Sequence, residues 1–304
     1  MGKTIARKPI DKRVQEFIDH VAESKSENTV NSYKSDLQKF IMWYKKDTGM
    51  KKEEDVDWRH IGSLDVSEFK KYLIEEGKRP STINRAIIIL SNFFKFLGYK
   101  EEDNPCHNIK LVYEMSISPD ALNRKQINQL LRAIDKYGNL RDYAIAVTIF
   151  HTGIRVSELC DLQNEDVEIK ERSGILHVNA GKGLKYRKVP LNSTARKVLQ
   201  DFINEKEEFM VWPASKWFFP TKFGKKLSAR SVQKAFQKYS EHLDFDVTPH
   251  VLRHTFCKSL VDAGESLERV ALMAGHSNIN TTAKYTKPTQ QDLENSVEKL
   301  SWLD

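Results

Sequence analysis

A mainly α-helical protein with a small antiparallel β-sheet (α+β), divided into two domains, follows from three features of the sequence. Apolar residues recur every three or four positions through most of the 304 residues, the spacing of helix faces. Three short β-rich pieces interrupt that pattern in the second half, and a turn-rich stretch breaks it near residue 100. The length suffices for two hydrophobic cores.

The first hundred residues read as helices. Val30, Tyr33, Leu37 and Phe40 form one apolar stripe, continued by Trp43 or Tyr44, with Ser26 and Asn28 available as caps. Ile83, Ile87, Leu90, Phe94 and Leu97 form a second, with Ser81 after Pro80 as the expected N-cap and Gly98 as the stop. Weaker helical patterns cover Lys12–Ser24 and Asp65–Glu76. Together they predict a small bundle-like domain over residues 1–108. Periodicity fails from Gly98 to Asp120, where Asp103-Asn104-Pro105 and Ser118-Pro119-Asp120 favour turns; residues 109–120 are read as the linker.

The second domain, residues 121–304, opens with helices near Arg124–Ile134 and Arg141–Thr152. The β-rich pieces Val167–Ile169, Ile175–Val178 and Tyr186–Pro190 follow, with Gly181-Lys182-Gly183 in the turn between the last two. Helices resume at Ser193–Asn204, Ala229–Leu243, Pro249–Asp262 and Leu267–Ala274. In the tail, Asp292–Leu303, one face carries Leu293, Val297 and Leu300.

A net charge of +7 favours polyanions, though many basic proteins never touch nucleic acid. The longest apolar runs, Ala86–Leu90 and Tyr143–Phe150, fall far short of the roughly 20 residues of a membrane helix. Lys3, Arg7, Lys8, Lys12 and Arg13 occur near the start without an apolar secretory core, so a cytoplasmic protein without membrane association is expected. Cys106, Cys160 and Cys257 stand far apart with no Cys-x-x-Cys pair, against a disulfide framework or a zinc finger.

Three segments of the second domain hold polar residues for which packing has little use. In His151-Thr-Gly153-Ile-Arg155-Val-Ser157-Glu158-Leu, Gly153 stops one helix, Ser157 can cap the next, and Arg155 and Glu158 are close enough to pair. Alone this is a helix junction with a surface salt bridge. In Thr248-Pro249-His250-Val251-Leu-Arg253-His254, Pro249 suits a first helical turn and Thr248 its cap. His250 and Arg253 share one face. A zinc reading of His250 and His254 needs Glu where Val251 stands, and no third ligand is evident. In Gly275-His276-Ser-Asn-Ile-Asn-Thr281-Thr282-Ala-Lys-Tyr285, Gly275 ends a helix. Taken singly, Tyr285 is a packing tyrosine and His276 a loop histidine.

As a set, these residues suit phosphoryl transfer. Fixed arginines stabilise the charge on an attacked phosphodiester. A phenol with a reference pKa near 10 costs about 4 kcal/mol to ionise at pH 7, a cost that cations reduce, and a histidine can accept the proton. The leaving oxygen needs a donor such as lysine. The set contains no acidic cluster for Mg²⁺, so covalent attack by the tyrosine is the coherent alternative to two-metal hydrolysis.

The segments Thr152-Gly-Ile-Arg155-Val-Ser-Glu158-Leu, His250-Val-Leu-Arg253-His254-Thr-Phe and Gly275-His276-Ser...Thr281-Thr282...Tyr285 resemble the motif boxes of tyrosine site-specific recombinases, the phage integrase and Xer family. They occur in the family's order, His276 precedes Tyr285 by the nine residues expected of Xer-like members, and Gly181-Lys182-Gly183 with Arg187-Lys188-Val-Pro-Leu191 resembles its β-hairpin lysine segment. The resemblance extends to the first domain, similar to the family's core-binding (SAM-like) domain, and to the second as its catalytic domain.

The resemblance implies that Arg155 and Arg253 hold the scissile phosphate and Lys182 protonates the leaving 5′-hydroxyl, with Lys185 and Lys188 on the same hairpin as alternatives. It further implies that His250 acts as acid and base on the tyrosine, His276 bonds the phosphate and Tyr285 forms a 3′-phosphotyrosyl link, with Glu158 as support. No metal, ATP or other cofactor is required. His254, His151 and the cysteines are read as structural. Lys225, Lys226, Arg230 and Lys234 suit DNA or a solvated face equally.

The implied partners are double-stranded DNA with an inverted-repeat core site and further copies of the chain: a dimer on one site and a tetramer in the synapse, joined through the tail, exchanging strands through a Holliday junction. Integration, excision and resolution of a mobile element or replicon all use this chemistry. The lack of an arm-binding domain ahead of Lys12 favours a simple Xer-like or resolvase-like system. The alternatives are a type IB topoisomerase-like relaxing enzyme and a catalytically silent DNA-binding protein.

Overall fold

The computed structural model describes residues 11–51, 53–113, 118, 120–179, 186–208 and 215–301. The chain divides into two compact units, residues 1–115 and 116–304.

The first unit contains α1 (Lys12–Ser24), α2 (Glu27–Asp47), α3 (Ser63–Glu75) and α4 (Pro80–Phe96), with a 3₁₀ turn at Trp58–His60. Local chemistry sets the helix starts. The Asp11 carboxylate accepts from the Arg13 and Val14 N–H groups, the Ser26 hydroxyl accepts from Thr29, and the Asp65 carboxylate reaches back to the Gly62 N–H. Asn28 lies inside α2 and caps nothing. Ser81 is likewise not the cap of α4: the cap is Arg79, and Pro80 occupies the first helical position, where its fixed φ and missing N–H do no harm.

The expected stripes meet in the core. Leu37, Phe40, Ile83, Leu90 and Phe94 are buried with Val14, Phe17, Phe69 and Phe93. Edge-to-face rings stitch the helices, with Phe40 and Phe69 5.0 Å apart and Trp58 and Phe93 4.5 Å apart.

The second unit begins with α5 (Arg124–Tyr137), α6 (Leu140–Thr152) and α7 (Val156–Asp161). Next come β1 (Val167–Ile169), β2 (Gly174–Val178) and β3 (Arg187–Pro190), antiparallel in the order β1-β2-β3. Leu176 lies opposite Val167 on one side and Val189 on the other, so the β2 residues Leu176 and Val178 turn one face into the core. The Gly181-Lys182-Gly183 turn lies outside the described residues.

Helices α8 (Ser193–Glu208), α9 (Ala229–Ser240), α10 (Pro249–Asp262), α11 (Leu267–Ala274), α12 (Asn280–Ala283) and α13 (Gln290–Glu298) complete the unit. Ala144 through Ile149 are all buried, because α6 packs against both α8 and α10. Two sequence details shift. Ser157 sits within α7 rather than capping it, and the tail helix ends at Glu298, leaving Leu300 beyond it. Among the described residues no helix is long and apolar enough to cross a membrane.

Candidate active site

The site is organised by helix ends. Gly153 closes α6 with φ 62° and Gly275 closes α11 with φ 69°, a left-handed conformation that favours glycine. Space enforces the choice as well. A Cβ at Gly153 would come within 2.2 Å of the Phe256 ring, and one at Gly275 within 2.7 Å of the Arg187 guanidinium.

The last carbonyls of a helix lack intrahelical donors and carry partial negative charge, so cations gather there. Here arginines fill that role. Arg253 donates to the carbonyls of Gly153 and, at 2.7 Å, Ala274. Arg155 donates to the Gly275 carbonyl at 2.8 Å, and Arg187 Nε to that of Met273 at 2.9 Å. Three guanidinium groups are thus drawn to the C-terminal ends of α6 and α11.

Glu158 ties two of them, Arg155 and Arg187, together. Its carboxylate accepts from Arg187 Nη1 at 2.9 Å and Nη2 at 2.8 Å, from Arg155 Nη1 at 3.0 Å, and from the Arg155 backbone N–H at 2.7 Å. Burial pushes the Glu158 carboxyl upward, but the Arg187 bonds and Arg155 outweigh it and hold the group below the usual range. Arg187 and Arg253 are buried, whereas the Arg155 side chain is 44% exposed. Burial and the field of Arg155 bring the Arg253 guanidinium down to about 10. Three cations around one carboxylate leave surplus positive charge, which suits an anion.

Arg155, His250, Arg253, His254, His276 and Tyr285 line one open cavity of about 910 Å³. Thr248 caps α10 through the Val251 N–H with Pro249 in the first turn, so one face of that helix presents His250, Arg253 and His254. His276 is oriented by a 2.8 Å bond between its Nδ1 and the Thr282 hydroxyl. Tyr285 sits on the 3₁₀ turn Lys284–Thr286, 2% exposed, against Phe256, Cys257, Val270 and Ala274.

The electrostatics differ from the simplest expectation in one respect. Burial and the Cys257 thiol push the Tyr285 phenol up, and the opposing field of Arg253 is too weak to reverse this. Without an anion present the tyrosine is held protonated. Burial and the arginines lower His276 to about 4, while burial, Arg253 and Arg155 also lower His250. Burial, then His250, Arg253, His276 and Lys284, bring His254 down to about 3.

The geometry therefore unites Arg155, Glu158, His250, Arg253, His276 and Tyr285, whereas Lys182 lies outside the described residues. The phage integrase family model matches residues 120–292, and the phage integrase N-terminal SAM-like domain matches residues 14–101. The chain belongs to the phage integrase family.

It is a tyrosine recombinase, similar along its length to other members. Its sequence is 30% identical to the TnP I resolvase of Bacillus thuringiensis over 91% of this chain and 95% of the relative. It is 28% identical to the tyrosine recombinase XerA of Pyrococcus furiosus over 96% of this chain and 94% of that one. The fold matches the XerH site-specific recombinase bound to its difH substrate with a TM-score of 0.69 at 21% identity, covering 98% of this chain and 86% of that one. It also matches the Tn1549 transposon integrase in complex with transposon right end DNA, with a TM-score of 0.71 at 20% identity over 95% of this chain and 99% of that one.

Two members of the cluster were not among the expected site residues. Arg187 was visible only as part of the hairpin segment, and its buried place follows from the inward alternation along β3. His254, read as structural, meets the Tyr285 hydroxyl through Nδ1 at 2.5 Å. Its spacing of four from His250 was the available signal.

Proposed function

We propose that this recombinase breaks and rejoins double-stranded DNA at a specific inverted-repeat site. The phosphodiester sits between Arg155 and Arg253, with His276 as a further hydrogen-bond partner. Tyr285 attacks the phosphorus, the phenol proton passes to a histidine of α10, and a 3′-phosphotyrosyl link forms. The 5′-oxygen leaves with a proton from Lys182, the donor that the Gly181-Lys182-Gly183 sequence favours. The bond energy is kept in the phosphotyrosine, so strand rejoining reverses the step.

The observation that carries this reading is the surplus of guanidinium charge beside a buried tyrosine in one open cavity. An enzyme for anionic substrates that conserves covalent energy needs both. Among the described residues no group of three His, Cys, Asp or Glu side chains is placed to hold a metal ion.

The DNA partner is supported by solved relatives: XerH was crystallised with difH and with palindromic difH, and lambda integrase as a dimer on a core site. The lambda integrase dimer supports two copies of this chain on one site; we extend this to four copies in a synapse that exchanges strands through a Holliday junction in the cytoplasm. The tail supplies an apolar surface for that assembly, with Leu293, Val297 and Leu300 exposed. Resolution or mobility of a mobile element is the biological role most in keeping with the TnP I resolvase likeness.

The test is a nicked suicide duplex carrying the protein's own site. Wild type is expected to accumulate a covalent protein–DNA adduct, and Tyr285→Phe to bind the duplex while forming none. An adduct with Tyr285→Phe would refute the nucleophile.

A further inference from the structure

We infer that His254, rather than His250, is the direct proton partner of Tyr285, holding the hydroxyl through Nδ1 and taking its proton as the oxygen attacks. The inference rests on Tyr285 being the nucleophile.

Geometry carries it. The 2.5 Å contact between His254 Nδ1 and the Tyr285 hydroxyl is the one ring-nitrogen bond to that oxygen among the described residues. His254 stands one turn beyond His250 on α10, their ring centroids 4.1 Å apart in an edge-on arrangement. The His254 ring lies 5.5 Å from the Tyr285 ring, whereas His276 is stacked on it at 6.4 Å with its Nδ1 engaged by Thr282. With the phenol donating, the neutral His254 ring carries its hydrogen on Nε2.

The step balances. Tyr285 Oη bonds to phosphorus, its proton moves to His254 Nδ1 to give an imidazolium, and the P–O5′ bond breaks with the 5′-oxygen taking a proton from its own donor. On rejoining, His254 returns the proton to the tyrosine oxygen.

The surroundings explain when the step occurs. The groups facing His254 are His250 and Arg253 on its own helix, His276 after α11, and Lys284 with Tyr285 on the 3₁₀ turn. Burial and these cationic neighbours hold the free imidazole at about 3, a weak base. A phosphodiester between Arg155 and Arg253 opposes that field and strengthens the base. The substrate's own charge thus arms the proton acceptor, and the protein without DNA stays inert.

The suicide duplex reads this out. His254→Gln keeps a hydrogen-bonding side chain but cannot take a proton, and His254→Asn repeats the contrast should Gln fail to fold. Adduct formation is expected to slow roughly a hundredfold with DNA binding retained. A fluorinated tyrosine at position 285, whose phenol ionises more readily, is expected to recover much of that loss in the His254 variants and little of the loss in His250→Gln. Unchanged rates in folded His254→Gln, a deficit that fluorination does not relieve, or relief confined to His250→Gln would each overturn the inference while leaving Tyr285 as nucleophile. An adduct from Tyr285→Phe would instead overturn the nucleophile itself.

Discussion

Each unit buries a carboxylate at the start of a helix, and the two carboxylates keep different company. Asp11, at α1, accepts from the N–H groups of Arg13, Val14 and Val56 and from the Trp58 indole, all neutral donors. Glu158, at α7, accepts one backbone N–H and otherwise the guanidinium groups of Arg155 and Arg187. A carboxylate satisfied by neutral donors ties chain segments together. One wrapped in arginines fixes the directions of cations that still have charge to spare, and Arg155 spends it on the cavity. The same local device, a carboxylate meeting the first N–H groups of a helix, serves packing in one unit and the proposed anion site in the other.

That contrast breaks most sharply at Glu158. Glu158→Ala leaves Arg187, 8% exposed, buried without its anion, and an expected loss of about 3–5 kcal/mol in urea unfolding follows. Adduct formation by the remaining folded protein is expected to fall as well, because Arg155 loses its anchor. A stability loss without an activity loss would make Glu158 another Asp11.

Acid acts on the same cluster. His254 and His276 titrate at about 3 and about 4 in the folded chain against roughly 6.5 unfolded, so below that value the unfolded chain binds more protons. Stability is therefore fully present above about pH 6.5 and declines as the pH falls through about 4 for His276 and about 3 for His254. The depressed Glu158 adds a loss of the same sign once the pH falls through its folded value. Urea titrations across this window check the slope, and replacing either histidine with Gln is expected to flatten it.

Asp11→Ala should have the smallest effect, about 1–3 kcal/mol from unpaired buried donors. Adduct formation per folded molecule is expected to match wild type. A catalytic defect there would show that the two carboxylates are not separated in role.

Much of this was legible beforehand where a residue constrains its own backbone. Pro249 and Gly275 mark the start of α10 and the end of α11, and the Leu37–Phe40 and Ile83–Leu90 stripes mark the first core. Caps were less legible, because Ser81 and Ser157 have the right chemistry but lie one or two residues inside their helices. The order of Arg155, His250, Arg253, His276 and Tyr285 pointed to the proposed chemistry, yet not to which histidine touches the tyrosine. That depends on the turn Lys284–Thr286 bringing the hydroxyl to His254, a long-range event without a local signal. Arg187 was hidden similarly, since its partner Glu158 lies 29 residues away. Cations were expected to reduce the cost of ionising the tyrosine; Arg253 does act in that direction, but burial outweighs it.

The proposed reaction stands on a covalent bond between Tyr285 and DNA. The most direct measurement is proteolysis of the trapped covalent complex, followed by mass spectrometry of the peptide that retains nucleotide. A nucleotide phosphate esterified to Tyr285 is expected, with the released strand ending in a free 5′-hydroxyl. Nucleotide on any other residue, or a 5′-phosphate on the released strand, would contradict it.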